Sequence, residues 1–157
     1  MRQDTSYSHK QVGTLVIAVM SILGLAVAIA SGFMEGWPIM FAMLALFGII
    51  AIVFGSMTVE VENGHMQFWF GTGLIRKSYE IRDIDSAAVV KNRWYYGWGI
   101  RLTPHGWLYN VSGMMPVKLT LVSGKTLLVG SDEPVDLVKA IDQAKANLED
   151  RPETGRH

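Results

Sequence analysis

Glu60 with Glu62, and Asp83 with Asp85, are carboxylate pairs one residue apart, the nearest approach in this chain to an acid–base couple. On a strand, residues two apart project to the same side, so either pair could divide the work of general acid and base. Neither is joined by a nucleophile motif, and both sit beside polar turn residues, where carboxylates mostly keep a surface soluble. His9, His65, His105 and His157 are scattered without metal-ligand spacing, and His105 in Pro104-His105-Gly106 reads as a turn residue. Gly71-Thr72-Gly73 lacks the third glycine and the strand-to-helix setting of a phosphate loop. The chain has no cysteine, which excludes disulfides, thiolate catalysis and Cys-ligated zinc. The residues therefore point to no catalytic centre, no metal and no cofactor.

Binding is the better-supported chemistry. From Trp94 to Thr103 the aromatics and glycines alternate. By strand parity Trp94, Tyr96, Trp98, Ile100 and Leu102 share one side, and Tyr95, Gly97, Gly99, Arg101 and Thr103 the other. A bulky side opposite a bare one fits a core strand bent at its glycines. It also fits a groove for a peptide or partner strand, with Tyr95, Gly97, Gly99 and Arg101 as its lining. Arg76, Lys77, Lys91 and Arg93 are candidate contacts for anionic lipid headgroups, set against the simpler reading of a solvated charged face. Trp37 and Trp94 are candidate interfacial aromatics, since an indole favours the headgroup layer.

The elements that must position these residues begin with a pair of apolar runs. Between Gln11 and Val59 the only formal charge is Glu35, so Gln11–Met34 and Gly36–Val59 are each 24 residues without Lys, Arg, Asp or Glu. Roughly 20 apolar residues in a helix cross the hydrocarbon core, so the expectation is a transmembrane hairpin. Two alternatives are weaker. A cleaved signal could end near Ala26-Val27-Ala28, but the run is long for one and a second equal run follows. A buried hairpin in a soluble protein usually carries a polar stripe, and neither run has one. Gly24, Ala26, Ala28, Ala30 and Gly32, with Ala42, Ala45 and Gly48, are small residues that let helices approach closely in lipid. The connection Met34-Glu35-Gly36-Trp37-Pro38 holds no Lys or Arg, whereas Arg2, Lys10, Arg76 and Lys77 flank the pair. The positive-inside rule then puts both termini in the cytoplasm.

After the hairpin the period becomes two. Met57, Val59 and Val61 alternate with Thr58, Glu60 and Glu62, and Asn63-Gly64 is the dipeptide of a two-residue type I′ turn. In that register Glu62 faces His65, and Met66, Phe68 and Phe70 join the apolar side. Further strands are expected at Leu74–Ile81, Ser86–Lys91, Tyr96–Thr103, Trp107–Val111, Val117–Val122 and Thr126–Val129, about seven surviving in all, with turns at Gly71-Thr72-Gly73, Pro104-His105-Gly106, Ser112-Gly113 and Ser123-Gly124. A closing helix is capped by Ser131 or Asp132 and carries Leu137, Val138, Ile141, Ala144 and Leu148 at helical spacing.

Seven or so antiparallel strands and a final amphipathic helix is the element order of a pleckstrin-homology-like barrel. The stretch Trp94-Tyr95-Tyr96-Gly97-Trp98-Gly99-Ile100-Arg101, continuing through Thr103-Pro104-His105-Gly106-Trp107-Leu108-Tyr109-Asn110-Val111-Ser112-Gly113, resembles small bacterial membrane proteins with such a domain after a transmembrane hairpin. So do Gly124-Lys125 and Gly130-Ser131-Asp132-Glu133-Pro134 beyond it. The similarity spans roughly Met57 to Leu148 and implies a fold and a membrane location, without a ligand or catalytic residues. Lipid-binding members of the wider fold use a basic cluster between their first strands; here that turn is Asn63-Gly64 between Glu62 and His65.

The expected organisation is a cytoplasmic N-terminal segment at 1–10, a transmembrane hairpin at 11–56, a PH-like domain at 57–149 and a polar tail at 150–157. Fourteen basic residues balance fourteen acidic ones, so no basic surface calls for nucleic acid. The charge is uneven all the same: Gly64–Gly130 holds 8 basic and 3 acidic residues, and Ser131–His157 holds 4 and 7. The function expected is that of a non-enzymatic module at the inner face of the plasma membrane, with the bilayer and a protein partner or a second copy as its contacts. Anionic headgroup binding by the basic region, and an enzyme acting on lipid or peptide, are the alternatives.

Overall fold

A computed structural model describes residues 6–31, 37–91, 99–103, 106–112 and 115–150. The chain enters through a strand, β1 (Tyr7–Val12), and then forms two helices, α1 (Thr14–Ser31) and α2 (Trp37–Phe54). At about 1.5 Å per residue each helix is about 27 Å long, close to the thickness of a bilayer's hydrocarbon core. Pro38 is accommodated in the first turn of α2, where its missing N–H costs nothing. Two of the three hydroxyls of α1 turn back onto their own helix, Ser21 Oγ donating to Ile17 O and Ser31 Oγ to Ala28 O. That is how a hydroxyl is satisfied where water is absent. The helices meet closely at Gly24, where an added Cβ would stand 3.3 Å from Leu44 Cδ2. Gly48 faces open space. Ile22, Leu25, Ile39, Phe41 and Ile52 each expose more than half their surface, so the pair is not buried in the β domain, and both helices are long and apolar enough to cross a membrane.

α2 runs into β2 (Ser56–Glu62) through the single residue Gly55, and β3 (His65–Phe70) and β4 (Ile75–Glu80) follow. The first sheet has the order β1-β2-β3-β4, antiparallel throughout. The turn between β2 and β3 is as expected: Asn63 and Gly64 both have positive φ, and Glu62 lies opposite His65. Met57, Val59, Val61, Met66, Phe68 and Phe70 form one fully buried face.

A 3₁₀ turn at Ile81–Asp83 leads to a second sheet made of β5 (Ile84–Val89), β6 (Gly99–Thr103), β7 (Gly106–Asn110), β8 (Val117–Leu121) and β9 (Thr126–Val129). Its order is β5-β8-β9-β7-β6, with β7 and β9 parallel. Two expectations are corrected here. Among the described residues, nine strands in two sheets replace about seven antiparallel ones, and the sheets do not close into a barrel. The β8–β9 hairpin inserts between β5 and β7, which run in the same direction, so one of its two antiparallel strands must meet its neighbour in parallel. Asp83 lies in the 3₁₀ turn and Asp85 at a register shift, so the pair is not at strand spacing.

α3 (Pro134–Glu149) closes the core with Leu137, Ala140, Ile141 and Ala144 buried and Val138 and Leu148 packed beside them. It starts later than expected. Glu133 occupies the N-cap without a side-chain cap, and Ser131 Oγ instead accepts from Glu133 N. The two sheets and α3 meet around Phe68, whose ring lies 5.0 Å from Tyr109 and 6.2 Å from Tyr79. Replacing a buried phenylalanine by alanine costs about 3–5 kcal/mol in lost burial and cavity formation. Phe68→Ala is therefore expected to lower the unfolding midpoint of the solubilised chain strongly, whereas His65→Ala, exposed on the same strand, should leave it near wild type.

Candidate functional site

The strand that precedes the helices was not legible in the sequence, and it organises the region where helices and sheets meet. β1 pairs with β2 from Tyr7↔Val61 to Val12↔Ser56, so the strands on either side of the helical pair are neighbours in one sheet. Gly13 N donates to Gly55 O at 2.9 Å and Ile17 N to Gly13 O, closing the base of the pair. The division at residues 10 and 11 therefore falls inside a strand, and α1 begins at Thr14.

Alternate residues of β1 face inward and carry polar contacts to the second sheet and α3. Gln11, 1% exposed, donates from Nε2 to Gly130 O at 2.7 Å and accepts at Oε1 from Ser112 Oγ at 2.9 Å. Ser112 follows β7 and Gly130 follows β9, so this one amide joins the hairpin-bearing strand to two strands of the other sheet. Gly130 is required there, because an added Cβ would collide with the Asn110 side chain. Two residues back, His9 Nε2 lies 2.7 Å from Asp132 Oδ1 and Nδ1 lies 3.1 Å from Glu133 Oε2. Carboxylates only accept, so Nε2 donates to Asp132 when it carries a proton, while Nδ1 stands at ion-pair distance from Glu133. Tyr7 stacks on His9 at 6.4 Å. Its hydroxyl is enclosed without a hydrogen bond of good geometry, although Ser131 lies near enough to favour the phenolate slightly. Burial, followed by the charge of Glu133, pushes the phenol up to about 12. Burial also raises Tyr79, and raises Tyr109 with help from Tyr79.

The turn after β3 packs against the end of α2. A Cβ on Gly71 would strike Ile52 O and Val53 O, and the residue has φ 49°, so glycine is needed on both counts. Phe70 meets Phe54 edge-on at 5.8 Å. Leu74, at the end of this turn, is 78% exposed. On the outward face of the sheet, Lys10, Thr58, Trp69 and Arg76 form one row across four strands, and the Arg76 guanidinium sits 4.6 Å over the Trp69 ring.

Of the residues expected to bind, Arg76 and Lys77 are both exposed on β4, but alternate to opposite faces. Lys91 is exposed after β5, in the other sheet, so the basic residues do not form one strand-paired cluster. Gly99 and Arg101 lie on β6, with Arg101 exposed and Gly99 at φ 99° beside open space. Tyr95, Gly97, Arg93 and Trp94 lie outside the described residues, as do His105 and His157. Trp37 is the first residue of α2, exposed and edge-on to Phe41. Glu60 and Glu62 do share the outward face of β2. Among the described residues no group of His, Asp and Glu is set out to hold a metal ion. Sequence reading missed Gln11, His9, Lys10, Trp69 and Leu74. The only signal for β1 was a short polar alternation in Tyr7-Ser8-His9-Lys10-Gln11-Val12.

No protein-family model and no curated protein matches this chain.

Removing one partner from a buried polar pair costs about 1–3 kcal/mol. Gln11→Ala is thus expected to destabilise the protein by that amount, and a cycle with Ser112→Ala should show the two effects to be non-additive. A raised phenol contributes stability that is complete below the unfolded value near 10 and is lost as pH climbs toward 12. Denaturation midpoints followed from pH 9 upward, a range chosen to bracket the ordinary tyrosine value, should fall less steeply in Tyr7→Phe than in wild type.

Proposed function

We propose that this chain is an integral protein of the inner (plasma) membrane, whose β domain is a non-enzymatic, PH-like interaction module held against the bilayer with both termini cytoplasmic. The observation that carries this reading is the pairing of β1 with β2 around the two apolar helices. With one residue, Gly13 or Gly55, between each helix and its strand, it supports a topology in which the start of α1, the end of α2 and the domain share one side. The exposed apolar faces of α1 and α2 favour lipid over a soluble core. Cleavage after α1 would remove β1 and Gln11 from the folded domain, which speaks against a signal sequence. Lys10, Arg76 and Lys77 flank the helices on the domain's side, which favours a cytoplasmic domain. Two packed sheets closed by a C-terminal helix support the PH-like reading.

The domain's own activity is assigned to the β6 edge of the second sheet. Among the described residues no strand pairs with the outer side of β6. Leu102, 71% exposed, lies opposite Trp107, 49% exposed, so an exposed apolar pair stands on this edge strand. A strand from a protein partner or a second copy can add there, with main-chain bonds for affinity and the apolar pair for specificity. A photocrosslinking residue in place of Leu102, introduced into the chain in native membranes, is expected to give an adduct of discrete mass that Trp107→Glu abolishes. Alkaline carbonate should leave the chain in the membrane pellet. Release into the supernatant overturns the anchor, and the absence of any adduct overturns the β6 interface.

A further inference from the structure

The outward face of the first sheet is polarised along its strands. Nearest the helices stand Val12 and Ser56; next comes the row Lys10–Thr58–Trp69–Arg76; beyond it, in successive rows, come Glu60 and then Glu62 with Glu80. At about 3.3 Å per residue, the basic row lies about 7 Å past the first residues after the helices, and Glu62 about 13 Å further out. A headgroup layer of some 5–8 Å on each side of the hydrocarbon core would take in the first distance and not the second. With the strands along the bilayer normal, the sheet would set these cations at headgroup depth and its carboxylates in water.

Three further features belong to the same end. The Gly71–Leu74 turn touches Ile52 and Val53, residues within the last turn of α2, and so stands level with the end of the apolar span. Leu74 extends from that turn with most of its side chain uncovered. Trp69 presents an amphipathic ring, of a kind that partitions to the membrane interface, with a guanidinium stacked on it. An aliphatic anchor, an indole and two cations about 14 Å apart across three strand spacings match the layered chemistry of one leaflet surface: acyl chain, glycerol and phosphate. A water-soluble anion would leave Leu74 without a role.

We infer that Lys10, Trp69 and Arg76, with Leu74, form a binding surface for the phosphate groups of anionic phospholipids in the leaflet on the domain's side, so that the first sheet is seated in the headgroup layer. The inference rests on the hairpin's spanning a bilayer, and the test separates the two. Because the chain has no native cysteine, single replacements Ile22→Cys, Leu74→Cys and Glu62→Cys can each carry an environment-sensitive fluorophore. The labelled chains are reconstituted in nanodiscs containing lipids brominated at known depths. Quenching is expected at Ile22 by deep bromines, at Leu74 by bromines near the headgroup, and at Glu62 by none. Quenching at Ile22 without quenching at Leu74 overturns the surface and leaves the hairpin standing; quenching at neither overturns both. Lipid choice is read separately by native mass spectrometry of the chain equilibrated with phosphatidylglycerol and phosphatidylcholine in equal amounts. Wild type should retain phosphatidylglycerol preferentially, and Lys10→Gln with Arg76→Gln should lose about fivefold of that preference per charge. Arg76→Lys should keep the preference, and so should Arg82→Gln, whose cation is paired with Glu80 away from this row. Equal retention of the two lipids by wild type, or an undiminished preference in the double variant, overturns the surface.

Discussion

The ladder between β1 and β2 is the constraint on which the rest of the structure depends. The whole helical pair is an insertion between two hydrogen-bonded strands, so its two ends are held one strand spacing apart. The closure entropy of so long an insertion is offset because antiparallel helices bring their own ends together. Register matters as much as pairing. A slip of one residue would turn His9 and Gln11 to the outward face and Lys10 inward, against the core. The same ladder thus seats the helices on the sheet, sets the polar contacts to the second sheet and determines which cation faces outward.

Those polar contacts are of unequal weight. The Gln11 amide is buried and satisfied at both its oxygen and its nitrogen, so it specifies one packing of the two sheets: any other arrangement would strand a donor and an acceptor in a low-dielectric interior. The His9 clamp on Asp132 and Glu133 is partly exposed and screened by solvent, and serves more to align the start of α3 than to add stability. Arg82–Glu80 and Lys139–Asp136 are more exposed still and contribute little. Stability lies mainly in the apolar layer between the sheets, where each fully buried Leu, Met or Phe contributes about 1.5–3 kcal/mol.

Much of the fold was legible because its signals were local. The two helices, the β2–β3 hairpin with its register and the apolar stripe of α3 follow from length, turn chemistry and periodicity, each of which is complete within a short window. The features that escaped depend on distant partners. β1 reads as a polar fragment until β2 covers one flank, and a lone edge strand so short carries no pattern stronger than chance. The parallel pairing of β7 with β9 depends on where a hairpin inserts, which no residue in either strand announces. Of the candidate site, Arg76 and Lys77 were found as charges, but alternation sends them to opposite faces. Trp69 was passed over because its role appears only once Arg76 lies across from it.

By itself the sequence determined the apolar spans, the two-sided strands and the absence of cysteine chemistry, because hydropathy, side-chain period and residue type are properties of the chain and not of its contacts. Tertiary structure alone decided that a strand before the helices pairs with one after them, that Gln11 is a core residue, and that Lys10, Trp69 and Arg76 stand in one row beside the end of α2. The physical reason is common to all three: each is a relation between segments far apart in the chain, created by backbone hydrogen bonding and close packing, and such relations have no counterpart in local composition.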